Sequence, residues 1–311
     1  MHLPNQNMTA SNKTEFQIKN IMKYNHDGSP DNQQARHKML MMVVKDLQSL
    51  GYGKRWKVHH IGKSEVDRLV HLWRNPKEGK GVANTTIANR LVHIRWLASK
   101  VRRDEYIPTN KQLGCSSRKD APNHNTNKAV KLNHQSLEKL SERDQLITLL
   151  RAEFGLRTKE ALKFNYQYAT AKSGTHITLK GNWCKGGRSR EIEIMNNRQG
   201  VLLQRVKDFQ SNHREKSMIP KARSYKGYYK AYNEARFKAD IAGHGLRHQW
   251  AQDRFKQVSG GIESPYSGDT KYKELSATDQ ARFDRAAAMV NVELGHGANR
   301  QDITSAYIGK G

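Results

Sequence analysis

Apolar residues recur at helical spacing from Asp31 onward: Met39, Leu40, Val43, Val44 and Leu47 predict a first helix, and the pattern resumes beyond Gly51-Tyr52-Gly53. Ser64 stands where it can cap a second helix, with Asp67 placed to reach back as in a capping box; Val66, Leu69, Val70 and Trp73 form its buried stripe. Beyond the turn at Gly79 to Gly81, Ile87, Leu91, Ile94, Ala98 and Val101 step along one face of a third helix. No strand pattern interrupts them, so residues 31–106 read as a small all-helical domain. Residues 1–30 are polar, end in Asp27-Gly28-Ser29-Pro30, and read as a flexible leader with one short helix near Phe16 to Met22. Residues 107–133 hold Gly114, Ser116, Ser117, Pro122 and several Asn and Lys, the composition of a linker.

From residue 134 to 311 the pattern changes. Leu137 to Phe154 has an apolar helical side and is stopped by Gly155, and Thr158 can cap a short helix through Leu162. His176-Ile177-Thr178-Leu179 and Arg190-Glu191-Ile192-Glu193-Ile194 alternate with period two, and Gly186-Gly187 between them can make a tight turn, which predicts an antiparallel hairpin. Helices follow near 198–209, 222–240, 245–256, 277–294 and 301–308. The fold class is therefore mainly α with a small antiparallel β-sheet, an all-helical domain followed by a mixed α+β one.

Charge adds a partner to this outline. Lys and Arg number 55 against 29 Asp and Glu, giving a net charge of +26 and a pI near 10.1, so the summed field attracts polyanions, nucleic acid first among them. No apolar run approaches the roughly 20 residues of a spanning helix, and the mean hydropathy is -0.90, so no membrane role is expected. The polar N-terminus lacks a signal-peptide core, so a cytoplasmic location is expected. Cys115 and Cys184 stand apart without metal-like spacing, and the histidines lack the clustered carboxylates of two-metal nuclease chemistry, so no metal or other cofactor is expected. On the third helix Arg90, His93, Lys100 and Arg103 make a positive strip that suits either DNA phosphates or a solvated basic face.

Taken singly, the remaining polar candidates are ordinary; their order is not. Phe154-Gly155-Leu156-Arg157-Thr158-Lys159-Glu160, Lys185 in the hairpin, His244-Gly245-Leu246-Arg247-His248, Leu294-Gly295-His296 and finally Tyr307 resemble the tyrosine recombinase (phage integrase) family, with all six family positions filled in order. The resemblance is detailed from about Asn133 onward; the first helical domain resembles the family's core-binding domain only in size, helicity and charge. It implies a core-binding domain and a catalytic domain clamping duplex DNA, and a mobile-element integrase or transposase in a bacterial cytoplasm, acting as a homo-tetramer assembled on two sites.

The resemblance also implies roles, and the chemistry suits them. Arg157 and Arg247 would hold the non-bridging phosphate oxygens and stabilise developing charge. Tyr307, with an ordinary pKa of about 10, needs an acceptor for its proton, and His244 is the candidate. Lys185 would protonate the departing 5′ oxygen, and His296 would orient the phosphate. The product would be a 3′-phosphotyrosyl link.

Lys180, before Gly181 in the same hairpin, competes with Lys185, which the flanking Gly186-Gly187, Arg188 and Arg190 favour. Arg188 and Arg190 are candidate contacts to backbone phosphates. Glu160 reads as the structural partner of a buried arginine, His248 as packing or facing away, and Tyr225, Tyr228, Tyr229 and Tyr232 as a packed helix face rather than nucleophiles. Two stretches depart from the family's spacing: residues 258–279, an apparent inserted loop, and the lengthened interval from His296 to Tyr307. Few residues follow Tyr307, which leaves open whether it serves its own subunit's site or a neighbour's. A type IB topoisomerase or telomere resolvase shares the implied site, and a non-catalytic DNA-binding regulator shares the implied fold.

Overall fold

In a computed structural model of the chain, residues 10–53, 56–76, 80–115 and 126–310 are described, without the side chains of residues 10–12 and 301–302. The first nine residues of the expected leader, Gly79, and residues 116–125 of the expected linker lie outside them. Contacts divide the chain into two units, Met1–His124 and Asn125–Gly311.

The first unit is helical throughout its described part: α1 (Ala10–Lys23), α2 (Pro30–Ser49), α3 (Lys63–Arg74) and α4 (Asn84–Lys100), with short 3-10 turns at Val58–His60 and Asp104–Tyr106. Ser29 caps α2 by accepting from the Asn32 backbone N–H, and Pro30 takes the first helical position, where a missing donor costs nothing. The capping expected at Ser64 does not form: Gly62 is the N-cap of α3, Ser64 lies inside the helix, and Asp67 instead pairs with Lys63 one turn away. The predicted stripes are the core, with Leu47, Leu69, Trp73, Ile87, Leu91 and Ile94 packed together. At its edge a buried Asp46 accepts from the Trp73 indole at 2.7 Å and from Lys80 at 2.5 Å.

Both expected flanks of this unit differ from the sequence reading. The leader carries a full helix, α1, whose Ile18 is buried against Leu40, Val44, Val58 and Leu97, and Asp27 accepts from Trp96 and Lys100. The start of the linker also belongs to the fold, because Ile107, Leu113 and Cys115 enter the core and Arg74 donates to the Leu113 carbonyl at 2.8 Å. A few apolar residues widely spaced in a polar segment suffice to dock it, and polar composition conceals them.

The second unit contains α5 (His134–Glu138), α6 (Glu142–Phe154), α7 (Thr158–Lys163), α8 (Tyr166–Ala169), the hairpin β1 (His176–Leu179) and β2 (Arg190–Glu193), then α9 (Asn197–Asn212), α10 (Tyr225–Lys238), α11 (Gly245–Val258), α12 (Pro265–Gly268), α13 (Ala277–Glu293) and α14 (Gln301–Ile308). The strands pair antiparallel with Leu179 opposite Arg190. The tight turn expected at Gly186-Gly187 is instead a longer connection over residues 180–189 containing two 3-10 turns. Gly181 lies beneath it, where a Cβ would stand 2.4 Å from the Gly187 carbonyl oxygen. The helix expected over Leu137 to Phe154 is two helices, because Ser141 caps α6 and ends the continuity.

A single large core joins α6, α7, α9, α11, α13 and the hairpin around Phe154, Leu162, Phe164, Trp250, Phe255 and Val290. The tyrosines of α10 fasten to this body: Tyr228 donates to Asp144 at 2.7 Å, and the Tyr232 hydroxyl lies 3.0 Å from both Thr148 Oγ1 and Arg151 Nη1. Both are buried, consistent with a packed face.

Candidate active site

The site is assembled where α6 ends, α11 begins, α13 ends and α14 lies across them. Gly155 closes α6 in the left-handed region at φ 60°, and a Cβ there would stand 2.4 Å from the Trp250 ring. This tight junction aims the Gly155 carbonyl at Arg247, which donates to it through Nη1 and to the Leu294 carbonyl through Nη2 at 2.5 Å. With 1% exposure Arg247 is a buried cation, and desolvation pulls its pKa down to about 10. Its Nε donates to the Tyr307 hydroxyl at 3.3 Å.

Arg157 begins α7. Glu160, at the third position of that helix, reaches back to accept from the Arg157 backbone N–H at 2.8 Å and from its Nη1 at 3.0 Å. Glu160 is fully buried, and Arg190 donates to both of its oxygens, at 2.9 and 2.7 Å. Burial pushes the carboxyl pKa up, but the Arg190 hydrogen bonds and the charges of Arg190, Arg247 and Arg157 outweigh it and bring the pKa to about 2.

The placement of Arg190 corrects the expectation that it contacts phosphates. It is 7% exposed, and besides Glu160 it binds the Glu293 carbonyl at 2.6 Å, tying the hairpin to the end of α13. Arg188, two residues earlier, is exposed.

The histidines and the tyrosine converge. His296 follows Gly295, which at φ 75° turns the chain out of α13, and its Nε2 lies 3.3 Å from Arg157 Nη2. His244 immediately precedes α11, and the preceding Gly243 carbonyl accepts from buried Arg151. His244 Nε2 stands 3.2 Å from the Tyr307 hydroxyl. Burial and neighbouring positive charges depress both imidazoles to about 4, so both are neutral at pH 7.

Tyr307 itself is 7% exposed on α14, in the site of its own chain. The lengthened interval before it is pinned by Asn291, whose side-chain amide donates to the Ala298 and Arg300 carbonyls at 3.3 Å and to Thr304.

His248 packs, as one of the two expected outcomes, and what it packs on is the tyrosine: its ring stacks on Tyr307 with centroids 4.4 Å apart at 29°. The spacing that matters is four residues from His244, which puts both rings on one side of α11. Burial lowers its pKa, too, to about 4.

Five of the six expected residues thus meet in one site: Tyr307 is hydrogen-bonded to His244 and Arg247, His296 to Arg157, and Glu160 pairs with the guanidiniums of both Arg157 and Arg247. Lys185 does not; it is exposed in the 180–189 connection. Its rival Lys180 lies over the Tyr168 ring at 5.4 Å. In the first unit Arg90 is half-buried over Trp73, Lys100 is exposed but pairs with Asp27 at 2.8 Å, and Arg103 lies beyond α4, stacked on Tyr106 at 3.7 Å. Of the three, Arg90 and Lys100 share α4 and Arg103 lies off it. Among the described residues no group of three or more His, Cys, Asp or Glu is arranged to hold a metal ion.

No curated protein matches the chain. Its fold is similar to the XerH site-specific recombinase solved bound to its difH substrate as a pre-cleavage complex, with a TM-score of 0.54, 14% identity, and coverage of 94% of this chain and 80% of that one. Weaker likenesses are to the XerA recombinase (TM-score 0.35, 10% identity, 97% and 94% covered) and to the integrase of mycobacterium phage Brujita (0.32, 13%, 95% and 98%). Residues 114–253, which carry Arg157, Lys185, His244 and Arg247, match the family model described as Integrase. The matched segment supplies four of the six expected positions and the fold brings His296 and Tyr307 to three of them, so that the chain carries an Integrase-like segment and resembles the tyrosine recombinase (phage integrase) family.

Proposed function

We propose that this chain cuts and rejoins duplex DNA at specific sites by attack of its own Tyr307 on a phosphodiester. The observation that carries the reading is the Tyr307 hydroxyl lying within hydrogen-bond reach of both His244 and Arg247 of the same chain. To accept the phenolic proton, His244 must present an unprotonated Nε2, and its depressed pKa keeps the ring neutral for that purpose. Arg247 Nε, aimed at the same oxygen, stabilises negative charge as it develops there. Arg157 and Arg247 hold the non-bridging oxygens of the phosphate, and His296 orients it. Glu160 is one carboxylate among the three guanidiniums of Arg157, Arg190 and Arg247, so two positive charges stay uncompensated before a phosphate arrives.

In the first step the Tyr307 oxygen bonds to phosphorus, its proton passes to His244, and the bond to the 5′ oxygen breaks. That oxygen takes a proton from Lys185, whose exposed connection would have to close over the DNA. The 3′-phosphotyrosyl link conserves the bond energy, and attack by another 5′ hydroxyl reverses the sequence on a new strand. Exchange between two sites calls for four copies assembled on DNA, as in integration or transposition of a mobile element. Exposed Arg188 and the net charge of +26 supply contacts to backbone phosphates.

A nicked duplex from which the short fragment bearing the freed 5′ hydroxyl diffuses away traps the intermediate. Wild-type protein is expected to give a denaturant-resistant DNA adduct on the site it binds, and Tyr307→Phe none, with duplex binding retained. Binding by the wild-type protein without any adduct would mark a non-catalytic regulator and overturn the reading; relaxation of a supercoiled plasmid lacking the site would point to a topoisomerase.

A further inference from the structure

The backbone of Tyr307 is held by a relay of side-chain amides. Gln252 on α11 is 3% exposed, and its Nε2 donates to the Tyr307 carbonyl at 3.1 Å and to Asn127 Oδ1 at 2.8 Å. Asn127 Oδ1 also accepts from the Ala129 backbone N–H at 2.9 Å, and Asn127 Nδ2 donates to the Tyr266 carbonyl at 3.0 Å.

The direction of every bond is fixed by its backbone end. Ala129 N–H can only donate, while the Tyr307 and Tyr266 carbonyls can only accept, so Asn127 and Gln252 each have a single amide orientation that satisfies the set. Tyr266 belongs to α12, inside the stretch 258–279 that departs from the family's spacing. This segment is tied back to α11 by the Lys256–Glu263 ion pair, and Ser259 donates to the Ile262 carbonyl at 3.0 Å. It then closes over the end of α14: Gly309 has φ 95°, and a Cβ there would lie 2.8 Å from Pro265 Cβ and 3.0 Å from the Tyr266 nitrogen.

We propose that Gln252 and Asn127 are positioning residues which, with α12 seated on Gly309, latch the tyrosine-bearing helix into its own chain's site. The inference rests on the reading of Tyr307 as nucleophile. The latch fixes the carbonyl of the residue whose hydroxyl must meet phosphorus, and misplacement of a reacting group by about 1 Å costs on the order of a hundredfold in rate.

Gln252→Glu is the sharpest probe, because it keeps shape while turning a carboxylate toward two acceptors. Single-turnover adduct formation on the nicked duplex is expected to fall at least tenfold, with duplex affinity within about twofold of wild type. The ratio of variant to wild-type rate is expected to rise as pH is lowered, since the buried carboxyl once protonated regains one donor; a general packing defect would not recover. Asn127→Ala is expected to give a smaller loss that does not add to that of Gln252→Glu.

Independently of catalysis, amide hydrogen exchange over residues 303–308 is expected to quicken in both variants of the free protein. Unchanged exchange there overturns the latch even if the wild-type protein forms no adduct. An adduct rate unchanged in Gln252→Glu, or one lowered only in step with duplex binding, overturns it equally.

Discussion

Glu160 accepts hydrogen bonds from Arg190 Nη1 and Nη2 while also bonding Arg157, so its charge is what lets three arginines gather around one site. Glu160→Gln keeps the volume but leaves Arg190 buried without its counter-ion, and such a loss costs about 3–5 kcal/mol. Urea unfolding is expected to show a midpoint shift of that size with little change in slope, accompanied by a drop in adduct formation. The contact of Glu160 with Arg157 was legible as a three-residue spacing, but its main partner, thirty positions away, was not. A signal for that partner existed all the same. Strand alternation puts Arg190 on the side of Ile192, which is buried, so an arginine there had to find an internal acceptor. That His248 packs was legible, but not that it packs on Tyr307, since its neighbour Arg247 says less about its direction than His244 one turn earlier.

The helices were legible because each buries an apolar stripe, and the five expected over 198–209, 222–240, 245–256, 277–294 and 301–308 are found with ends displaced by at most three residues. What local pattern does not encode is how an element's end is used. Gly155 reads in sequence only as a helix stop, whereas in the fold it lets α6 pass against Trp250 and offers its carbonyl to Arg247. Gly155→Ala meets both a left-handed backbone and the indole ring, and is expected to cost roughly 2–4 kcal/mol. Thermal melting would measure this, and the displaced Arg247 is expected to lower adduct formation beyond what the lost stability explains. The hairpin was found at its strands and missed at its connection, because the packing of Gly181 under Gly187 is a contact between backbones that no side-chain pattern announces.

Across the described residues, the two largest buried apolar clusters lie one in each unit. The flanks were harder to read. Polar composition made a leader of residues whose α1 buries Ile18, and a linker of residues whose Leu113 and Cys115 complete a core. The convergence of five polar residues from four distant helix ends was legible only through resemblance, since spacing along the chain carries no information about which ends meet. Their meeting explains why so basic a protein keeps a carboxylate at its centre: without Glu160 the guanidiniums would repel one another as the fold closes.

The imidazoles held near pKa 4 carry a consequence for how protons are exchanged with solvent. An unfolded histidine titrates near 6.5, so the unfolded chain binds protons that the folded site refuses, and stability is expected to decline as pH falls from about 6.5 toward 4. A phosphodiester seated among the arginines acts in the opposite sense, because its negative charge favours the protonated rings and raises their pKa. Duplex binding is then accompanied by net proton uptake near pH 5, fading toward pH 8, where even a raised histidine is neutral. Calorimetry in buffers of different ionisation enthalpy reads this directly, and His296→Gln should diminish it. The site thereby senses its substrate as a change in protonation, and acidity tightens its hold on DNA while loosening the fold that presents it.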